Sequence, residues 1–292
     1  MSENPLDLGL TRPKPKILPE QLLAIADDSF APAKRFVLFS GGNDSSTLLH
    51  WAWNNSPIQI DAAVHINTGI GVEETRDFAR RFCFDLGIPL IEKHAPEGEY
   101  ERLCREYGVP GPGMHWMPYR YLKDRQVASL VKEYRGKKEK GKPLPPVMLI
   151  TGVRRDESVR RMGTTKPINL RGGQLWVAPL IDWSNADLIA YRESNAIPRN
   201  EVADVMHMSM ECACGAYGSR SEFEMLRTFY PKTAAQITRC EAIARGAGQK
   251  YCVWGQPRSA KDRAHDNARL GQMDLCFTCN TRQAILDEAV LV

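Results

Sequence analysis

The sequence predicts an α/β protein built on a doubly wound, mainly parallel sheet and followed by a helical region that carries cysteines. Three observations support this prediction. Short apolar runs alternate with stretches that repeat apolar residues at helical spacing. The first apolar run ends abruptly at a turn of serine and glycine, which is typical of a strand followed by a helix. After about residue 200 the β-branched runs disappear, and helical patterns surround the cysteines.

We divide the chain into three parts on this basis. Residues 1–16 are rich in proline and lysine and are predicted to form a flexible arm. Residues 17–200 make up the predicted α/β domain, and residues 201–292 the helical cysteine-bearing region.

Each predicted element follows from its pattern of apolar residues. Short apolar runs predict strands, and these lie at 36–39, 58–66, 88–91 and 147–150. Apolar residues three or four positions apart predict helices, and these lie at 17–26, 44–53, 73–86, 118–134, 220–230 and 232–245.

The composition is that of an ordinary globular protein. The 292 residues are 43% hydrophobic and 25% charged, with a formal net charge of +4. No apolar run approaches the ~18 residues that a transmembrane helix requires, so we expect no membrane span. The N-terminal residues lack the basic start and apolar stretch of a secretory signal. We therefore expect a cytoplasmic protein.

Positive charge is concentrated in two short segments. Residues 132–142 (KEYRGKKEKGK) are mostly basic, and a second basic stretch spans 258–269. A solvated loop and a polyanion-binding loop are both consistent with the first segment.

The strongest local signal is the segment 39–46 (FSGGNDSS), which we call the phosphate loop. Small residues between a strand and a helix allow backbone N–H groups to converge on an anion at the positive end of the helix. The hydroxyl groups of Ser40, Ser45 and Ser46 can add donors. The spacing and the missing lysine exclude the G-x-x-x-x-G-K-[ST] type of loop.

A longer set of motifs resembles one family. Ser40–Ser45 (SGGNDS) resembles the SGGxDS pyrophosphate loop, or PP-loop, of ATP pyrophosphatases and sulfonucleotide reductases. Three further segments resemble motifs of the phosphoadenosine phosphosulfate (PAPS) reductase family in the same order: 67–75 (NTGIGVEET), 152–158 (GVRRDES) and 178–187 (APLIDWSNAD), the last followed by Tyr191 and Pro198. The resemblance implies a fold like that of the adenine nucleotide alpha-hydrolases, with 17–200 as the nucleotide-binding domain.

The resemblance also implies roles for individual residues. Thr68 and Gly69 are expected near the adenosine, and Asn67 stands where the family usually has aspartate. The groups expected to bind the nucleotide are Ser40, Gly41, Gly42, Asp44, Ser45, Ser46, Thr68, Gly69, Gly152, Arg154 and Ser158. Those expected to take part in catalysis are Asp44, Ser45, Arg154 and Arg155.

The residues themselves leave two interpretations of the paired arginines. Arg154 and Arg155 follow a predicted strand and can offer forked cations to phosphate oxygens. They can also form surface ion pairs with Asp156 and Glu157, which follow them directly.

Two subgroups of the family compete. Sulfonucleotide reductases use a cysteine near the C-terminus as nucleophile, whereas the last cysteine here is Cys279, and cluster-bearing reductases have an adjacent Cys-Cys pair. The chain more closely resembles the DNA phosphorothioation pyrophosphatases, which are sulfurtransferases. That resemblance implies ATP, Mg²⁺ and DNA as ligands, release of pyrophosphate and AMP, a cysteine desulfurase as sulfur donor, and further modification subunits. Transfer of sulfur to tRNA and a nucleotide-sensing or nucleic-acid-binding subunit without turnover remain alternatives.

The cysteines predict a metal site. Cys212 and Cys214 form a C-x-C pair and Cys276 and Cys279 a C-x-x-C pair, and two close pairs are typical of metal sites. Zinc and iron–sulfur are both compatible with thiolate ligands. The family resemblance favours a [4Fe–4S] cluster. Cys240 and Cys252 are reserve ligands, while Cys83 and Cys104 lie in helical patterns and are expected to be buried.

Overall fold

The centre of the fold is a six-stranded sheet. The computed structural model of the chain describes residues 17–136, 141, 143–157 and 166–255. The strands are β1 (Lys34–Leu38), β2 (Ala62–Asn67), β3 (Leu90–His94), β4 (Val147–Ile150), β5 (Ile168–Arg171) and β6 (Gln174–Val177). Their order is β3-β2-β1-β4-β6-β5, with parallel neighbours except for the antiparallel pair β5 and β6.

Helices surround this sheet and form the C-terminal region. They are α1 (Pro19–Phe30), α2 (Asn43–Asn55), α3 (Glu73–Asp85), α4 (Glu99–Tyr107), α5 (Trp116–Pro118), α6 (Arg125–Tyr134), α7 (Asn185–Ser194), α8 (Glu201–Met206), α9 (Arg220–Phe229) and α10 (Pro231–Gly246). A π-helical stretch, Tyr119–Asp124, joins α5 to α6. None of the helices in the described part of the chain is long and apolar enough to cross a membrane.

Apolar clusters on both faces of the sheet confirm the doubly wound α/β class. On one face, α1, α2 and α3 cover Val37, Ala63 and Met148. On the other face, α6 covers residues of the same strands, among them Phe36 and Leu149. Because both faces of the central strands are buried, these strands are continuous apolar runs rather than alternating ones.

A third cluster organises the chain beyond residue 200. Residues of α8, α9 and α10 pack with α4 and with the segment that follows β2. This cluster contains the buried Tyr100, Met206 and Trp254. The helical C-terminal region therefore lies against the end of the sheet at which β2 terminates.

The structure differs from the sequence prediction at several elements, and the helices α4, α7 and α8 were not predicted. The second strand begins at Ala62 rather than at residue 58, because Asp61 accepts hydrogen bonds from the Arg35 backbone and the Lys34 side chain. The hairpin of β5 and β6 was not predicted. The helix predicted at 118–134 begins earlier and includes the π-helical stretch.

Several expectations concern residues outside the described ranges. These are the arm at 1–16, four lysines of the basic segment, the basic stretch 258–269 and three candidate ligands, Ser158, Cys276 and Cys279.

Candidate functional site

The phosphate loop connects the buried strand β1 to α2. Gly42 is the residue before α2 and has an extended backbone, and no side chain caps the helix. The first backbone N–H groups of α2 are therefore available to an anion at the positive end of the helix dipole. Gly41 has φ of +75°, and an added Cβ would lie 3.0 Å from Thr75 Cγ2, so both conformation and space require glycine.

Three hydroxyl groups line the loop. Ser40 Oγ and Ser45 Oγ are hydrogen-bonded to each other at 3.0 Å. Ser45 Oγ and Ser46 Oγ each donate to the Gly42 carbonyl at 3.0 Å. Ser46 is only 2% exposed and therefore shapes the loop from inside, whereas Ser40 and Ser45 are half-buried and accessible to a ligand.

A buried network supports the loop from behind. Asn200 Nδ2 donates to the Gly41 carbonyl at 2.9 Å and lies 3.3 Å from Thr75 Oγ1. Thr75 Oγ1 in turn donates to the carbonyl oxygen of Ser209. The Ser209 Cβ lies 3.4 Å from the position that a Cβ on Gly42 would occupy. Residues from beyond α7 therefore hold the backbone of the loop.

The two predicted arginines have different environments. Arg154 is 3% exposed, and its Nε and Nη2 donate to Asp44 Oδ2 at 3.1 and 2.8 Å. Its remaining hydrogen bonds go to the Trp183 carbonyl and the Asn185 side chain. Arg155 forms an ion pair with Asp182 on the surface.

This arrangement matches neither interpretation of the arginines completely. The structure brings Arg154 to the phosphate loop, but there it holds Asp44 and does not pair with Asp156. Asp156 instead accepts the backbone N–H of Asn185. Gly152 allows this close approach, since an added Cβ would lie 3.4 Å from the Asp44 carbonyl oxygen.

A cleft of about 240 Å³ opens beside the loop at the end of β2. Gly69 lines it, while Thr68 is buried and donates to the Glu211 carbonyl at 2.9 Å. Asn67 Oδ1 accepts the Gly69 N–H at 2.9 Å, so an amide oxygen stabilises this turn where the family has a carboxylate. The charged residues of the cleft have mixed sign and are Glu73, Arg76, Glu211 and Lys232.

The C-x-C pair lies on a segment that runs beside the cleft. Backbone hydrogen bonds join Met210 to Val72 and Ala213 to Ile70. Cys212 is half-buried, and Cys214 is 1% exposed within the third apolar cluster. The segment thus follows the loop between β2 and α3, and the predicted ligands Cys212 and Cys214 lie close to the candidate nucleotide site.

The described residues do not form a complete metal site. Within 17–136, 141, 143–157 and 166–255, no group of three or more histidine, cysteine, aspartate or glutamate side chains is arranged to hold a metal ion. The reserve ligand Cys240 hydrogen-bonds to Cys104, and this contact together with burial raises the pKa of the Cys104 thiol. Cys83 and Cys104 are both buried, as predicted. The other reserve ligand, Cys252, is half-buried.

Comparison with known proteins assigns the family. The model of the phosphoadenosine phosphosulfate reductase domain matches residues 34–213, and the chain belongs to this family. A PAPS reductase of Synechocystis is 24% identical over 200 residues, which are 65% of this chain and 72% of that protein. The family resemblance stated from the motifs is therefore confirmed.

Solved structures with similar folds are more distant. The PAPS reductase of Candida auris, solved as a phosphate complex, has 19% identity and a TM-score of 0.46, covering 65% of this chain and 85% of that one. A U34-tRNA thiolase of Methanococcus maripaludis, solved with its [4Fe–4S] cluster, has 15% identity and a TM-score of 0.41, covering 87% and 88%.

Proposed function

We propose that this chain is an ATP pyrophosphatase that activates a phosphate of the DNA backbone for sulfur insertion. One observation carries the proposal. The uncapped N-terminus of α2 and the accessible hydroxyl groups of Ser40 and Ser45 form an anion site. A cleft of about 240 Å³ shares Thr75 with the residues that support this loop. The loop would hold the β- and γ-phosphates, with the adenosine in the cleft near Gly69.

The first chemical step is adenylation of the acceptor. A non-bridging oxygen of a DNA phosphodiester attacks the α-phosphorus of ATP, and the bond to pyrophosphate breaks. Backbone N–H groups of α2 stabilise the negative charge on the departing pyrophosphate. Arg154 binds one oxygen of Asp44, Oδ2, and no hydrogen bond from the described residues reaches Oδ1. Asp44 would hold the Mg²⁺ that accompanies ATP through this second oxygen.

The second step replaces AMP with sulfur. The terminal sulfur of a persulfide, delivered by a cysteine desulfurase, attacks the activated backbone phosphorus and AMP departs. A second thiol then attacks the remaining S–S bond, so the phosphorothioate is released and the two thiols leave as a disulfide. No described residue has to act as the sulfur donor in this scheme.

The cysteine pairs are assigned to a metal centre within the same proposal. Cys212 and Cys214 would supply two thiolates and Cys276 and Cys279 the other two, which suits a [4Fe–4S] cluster and, as second choice, zinc. Cys212 already lies next to the cleft, because its segment follows the loop after β2.

The basic segment 132–142 is the proposed contact to DNA phosphates. Arg135 is engaged within the protein, since it donates to the carbonyl groups of Leu144 and Pro145. The lysines of the segment are the proposed partners of the DNA phosphates, and such binding weakens steeply with salt. We expect K137E/K138E/K140E to weaken DNA binding and to reduce its salt dependence. Unchanged binding of this variant would exclude the segment as the contact.

The proposal is tested by product analysis with α-³²P-ATP on anaerobically purified protein. We expect AMP and pyrophosphate to form when DNA is present, and ³⁵S to enter DNA when a cysteine desulfurase and cysteine are added. Ser45→Ala should abolish both products. Ser56→Ala, at the far end of α2, is the matched control and should be active. ATP binding without AMP formation would overturn the proposal in favour of a sensing subunit. AMP formation that requires tRNA and does not respond to DNA would identify tRNA as the acceptor instead.

Reduction of a sulfonucleotide is the second candidate. It is favoured by the name of the relative in Synechocystis, a PAPS reductase. The same protein preparation should be incubated with ³⁵S-labelled PAPS and a dithiol reductant. Release of labelled sulfite, with no AMP from ATP, would establish reduction and exclude the pyrophosphatase.

A further inference from the structure

Arg192 on α7 is a half-buried cation without a counter-ion. Its Nε is buried and has no hydrogen-bond partner, and no carboxylate of the described residues forms an ion pair with it. A guanidinium group that leaves water without a partner is costly to the folded state. Such an arrangement needs an explanation, and a ligand that is not part of the chain provides one.

Contacts of the residues that flank Arg192 along the chain place this segment near the phosphate loop. The neighbouring Tyr191 hydroxyl lies 3.1 Å from His50 Nδ1 on α2, so α7 packs directly against the helix that begins in the loop. On the other side, Asn200, the residue before α8, binds the Gly41 carbonyl. Arg192 therefore lies on a segment whose flanking residues contact α2 and the phosphate loop. The charged groups that act on it include Asp44 in the first turn of α2 and Asp204 in α8.

The electrostatic surroundings agree with this position. Burial lowers the pKa of Arg192, and the nearby cation Arg199 lowers it further. The carboxylates of Asp44 and Asp204 act in the opposite direction, although neither is an ion-pair partner of Arg192. Since an arginine keeps its proton at neutral pH, the group remains a cation, and its Nε–H has no acceptor among the described residues.

The other arginines near the loop have their donors engaged. Arg154 binds Asp44 and two further acceptors, and Arg155 binds Asp182. Arg199 is paired with Asp204. Of these four arginines, Arg192 alone has no carboxylate partner among the described residues.

We propose that Arg192 binds the oligophosphate part of the nucleotide. Its guanidinium group would donate to phosphate oxygens of ATP or pyrophosphate held by the loop, while Arg154 holds Asp44 in position. This inference rests on the proposed function, because the proposed function is what identifies the ligand as an oligophosphate. It is specific for that class, since AMP lacks the pyrophosphate moiety and should not need Arg192.

Calorimetric titration of the full chain with inorganic pyrophosphate and with AMP tests the assignment. Hydrogen bonds between charged groups contribute enough that Arg192→Gln should weaken pyrophosphate binding by ~10-fold or more, with AMP binding changed by less than about 2-fold. Arg192→Lys should recover only part of the loss, because lysine lacks the forked donor geometry. Arg199→Gln removes the same charge nearby and should change pyrophosphate binding by less than about 3-fold, because it is paired with Asp204.

Thermal unfolding separates this role from a structural one. Without ligand, Arg192→Gln should unfold at the same temperature as the natural protein or higher, since it removes an unpartnered charge. The stabilisation of the natural protein by pyrophosphate should be much smaller in the variant. A lower unfolding temperature of the unliganded variant would indicate a structural role and overturn the assignment.

The remaining outcomes distinguish this inference from the proposed function. Equal pyrophosphate binding by Arg192→Gln and the natural protein would overturn the inference, as would equal losses in Arg192→Gln and Arg199→Gln. Failure of the natural protein to bind pyrophosphate would also overturn it. Pyrophosphate binding that depends on Arg192, without AMP formation from ATP, would confirm the inference and exclude the pyrophosphatase function.

Discussion

The phosphate loop and the cysteine segment lie side by side but are built in different ways. In the loop, consecutive residues 40–46 supply the glycine turn, the hydroxyl groups and Asp44, and α2 supplies the backbone donors. In the cysteine segment, Cys214 lies in an apolar cluster with Cys104 and Cys240, which come from α4 and α10. A site made from one segment is visible in the sequence, whereas a site assembled from distant segments depends on how the chain folds.

The largest effect is expected from the ion pair of the loop, whose arginine is buried while its carboxylate is 32% exposed. Asp44→Asn leaves Arg154, which is 3% exposed, without its carboxylate, and should lower the free energy of unfolding by about 3 kcal/mol. AMP formation should fall on the order of 100-fold, since the loop loses a charged group that it positions. Urea unfolding and the α-³²P-ATP assay measure the two effects.

The matched control is the surface ion pair next to it. Asp182→Asn removes the partner of Arg155, and these side chains are 27% and 36% exposed. The loss should be less than about 1 kcal/mol, because a solvated pair contributes little. If Asp44→Asn and Asp182→Asn lower the free energy of unfolding equally, the burial of Arg154 does not make its ion pair stronger. Arg154 would then not be the residue that holds Asp44 in position.

Gly41→Ala should have the next largest effect. The added methyl group must adopt φ of +75° and would lie 3.0 Å from Thr75 Cγ2, so we expect a loss of about 2 kcal/mol in the free energy of unfolding. Gly172→Ala is the control, since Gly172 has φ of +57° with no atom within 4 Å of an added Cβ. Gly172→Ala should lower the free energy of unfolding by about 1 kcal/mol, from the backbone conformation alone. A smaller loss at Gly41 than at Gly172 would contradict the tight contact with Thr75.

Asn200→Ala tests the support that reaches the loop from beyond α7. It leaves the Gly41 carbonyl without its side-chain donor, which should lower the free energy of unfolding by about 1.5 kcal/mol and weaken ATP binding. Asn195→Ala removes an exposed amide that donates to the Tyr191 carbonyl, and should change stability by less than about 0.5 kcal/mol. Unchanged ATP affinity in Asn200→Ala would show that the loop keeps its shape without this hydrogen bond.

The sequence was sufficient for the central strands and the phosphate loop. The strands β1 and β4 were predicted because an apolar strand buried on both faces is a continuous run. The hairpin of β5 and β6 was missed although its signal was present. Gly172 and Gly173 both have positive φ and form a two-residue turn between two short strands, and a Gly-Gly pair in such a position predicts a hairpin.

The groups that complete the candidate site could not be predicted in the same way. Asn200 is 159 residues from Gly41 along the chain, and Ser209 is 134 residues from Thr75. No periodicity or spacing connects residues so far apart, because their contact results from the packing of α8 against the end of the sheet. Arg192 likewise belongs to no motif, and only the lack of a partner in the folded chain distinguishes it.

The smallest effect is expected at a cysteine far from both sites. Cys83 on α3 is 1% exposed, and burial raises the pKa of its thiol from 9.0 to about 12. Between these pH values the unfolded chain releases the thiol proton while the folded chain keeps it, so the free energy of unfolding falls as pH rises. At pH 10 the loss amounts to about 1.4 kcal/mol, and Cys83→Ala should not show it. Urea unfolding of both proteins at pH 8 and pH 10 measures the difference.

Thiol labelling extends this test to the cysteine segment. At pH 8 iodoacetamide should leave Cys83 unmodified in the folded protein, because the thiolate is the reactive form. The half-buried Cys212 and Cys252 should react in protein freed of metal. If Cys212 is a ligand, it should be protected in anaerobically purified, iron-containing protein and become reactive after chelation. Labelling of Cys212 while iron is still bound would exclude it as a ligand, and the metal centre would then have to be built from other thiols.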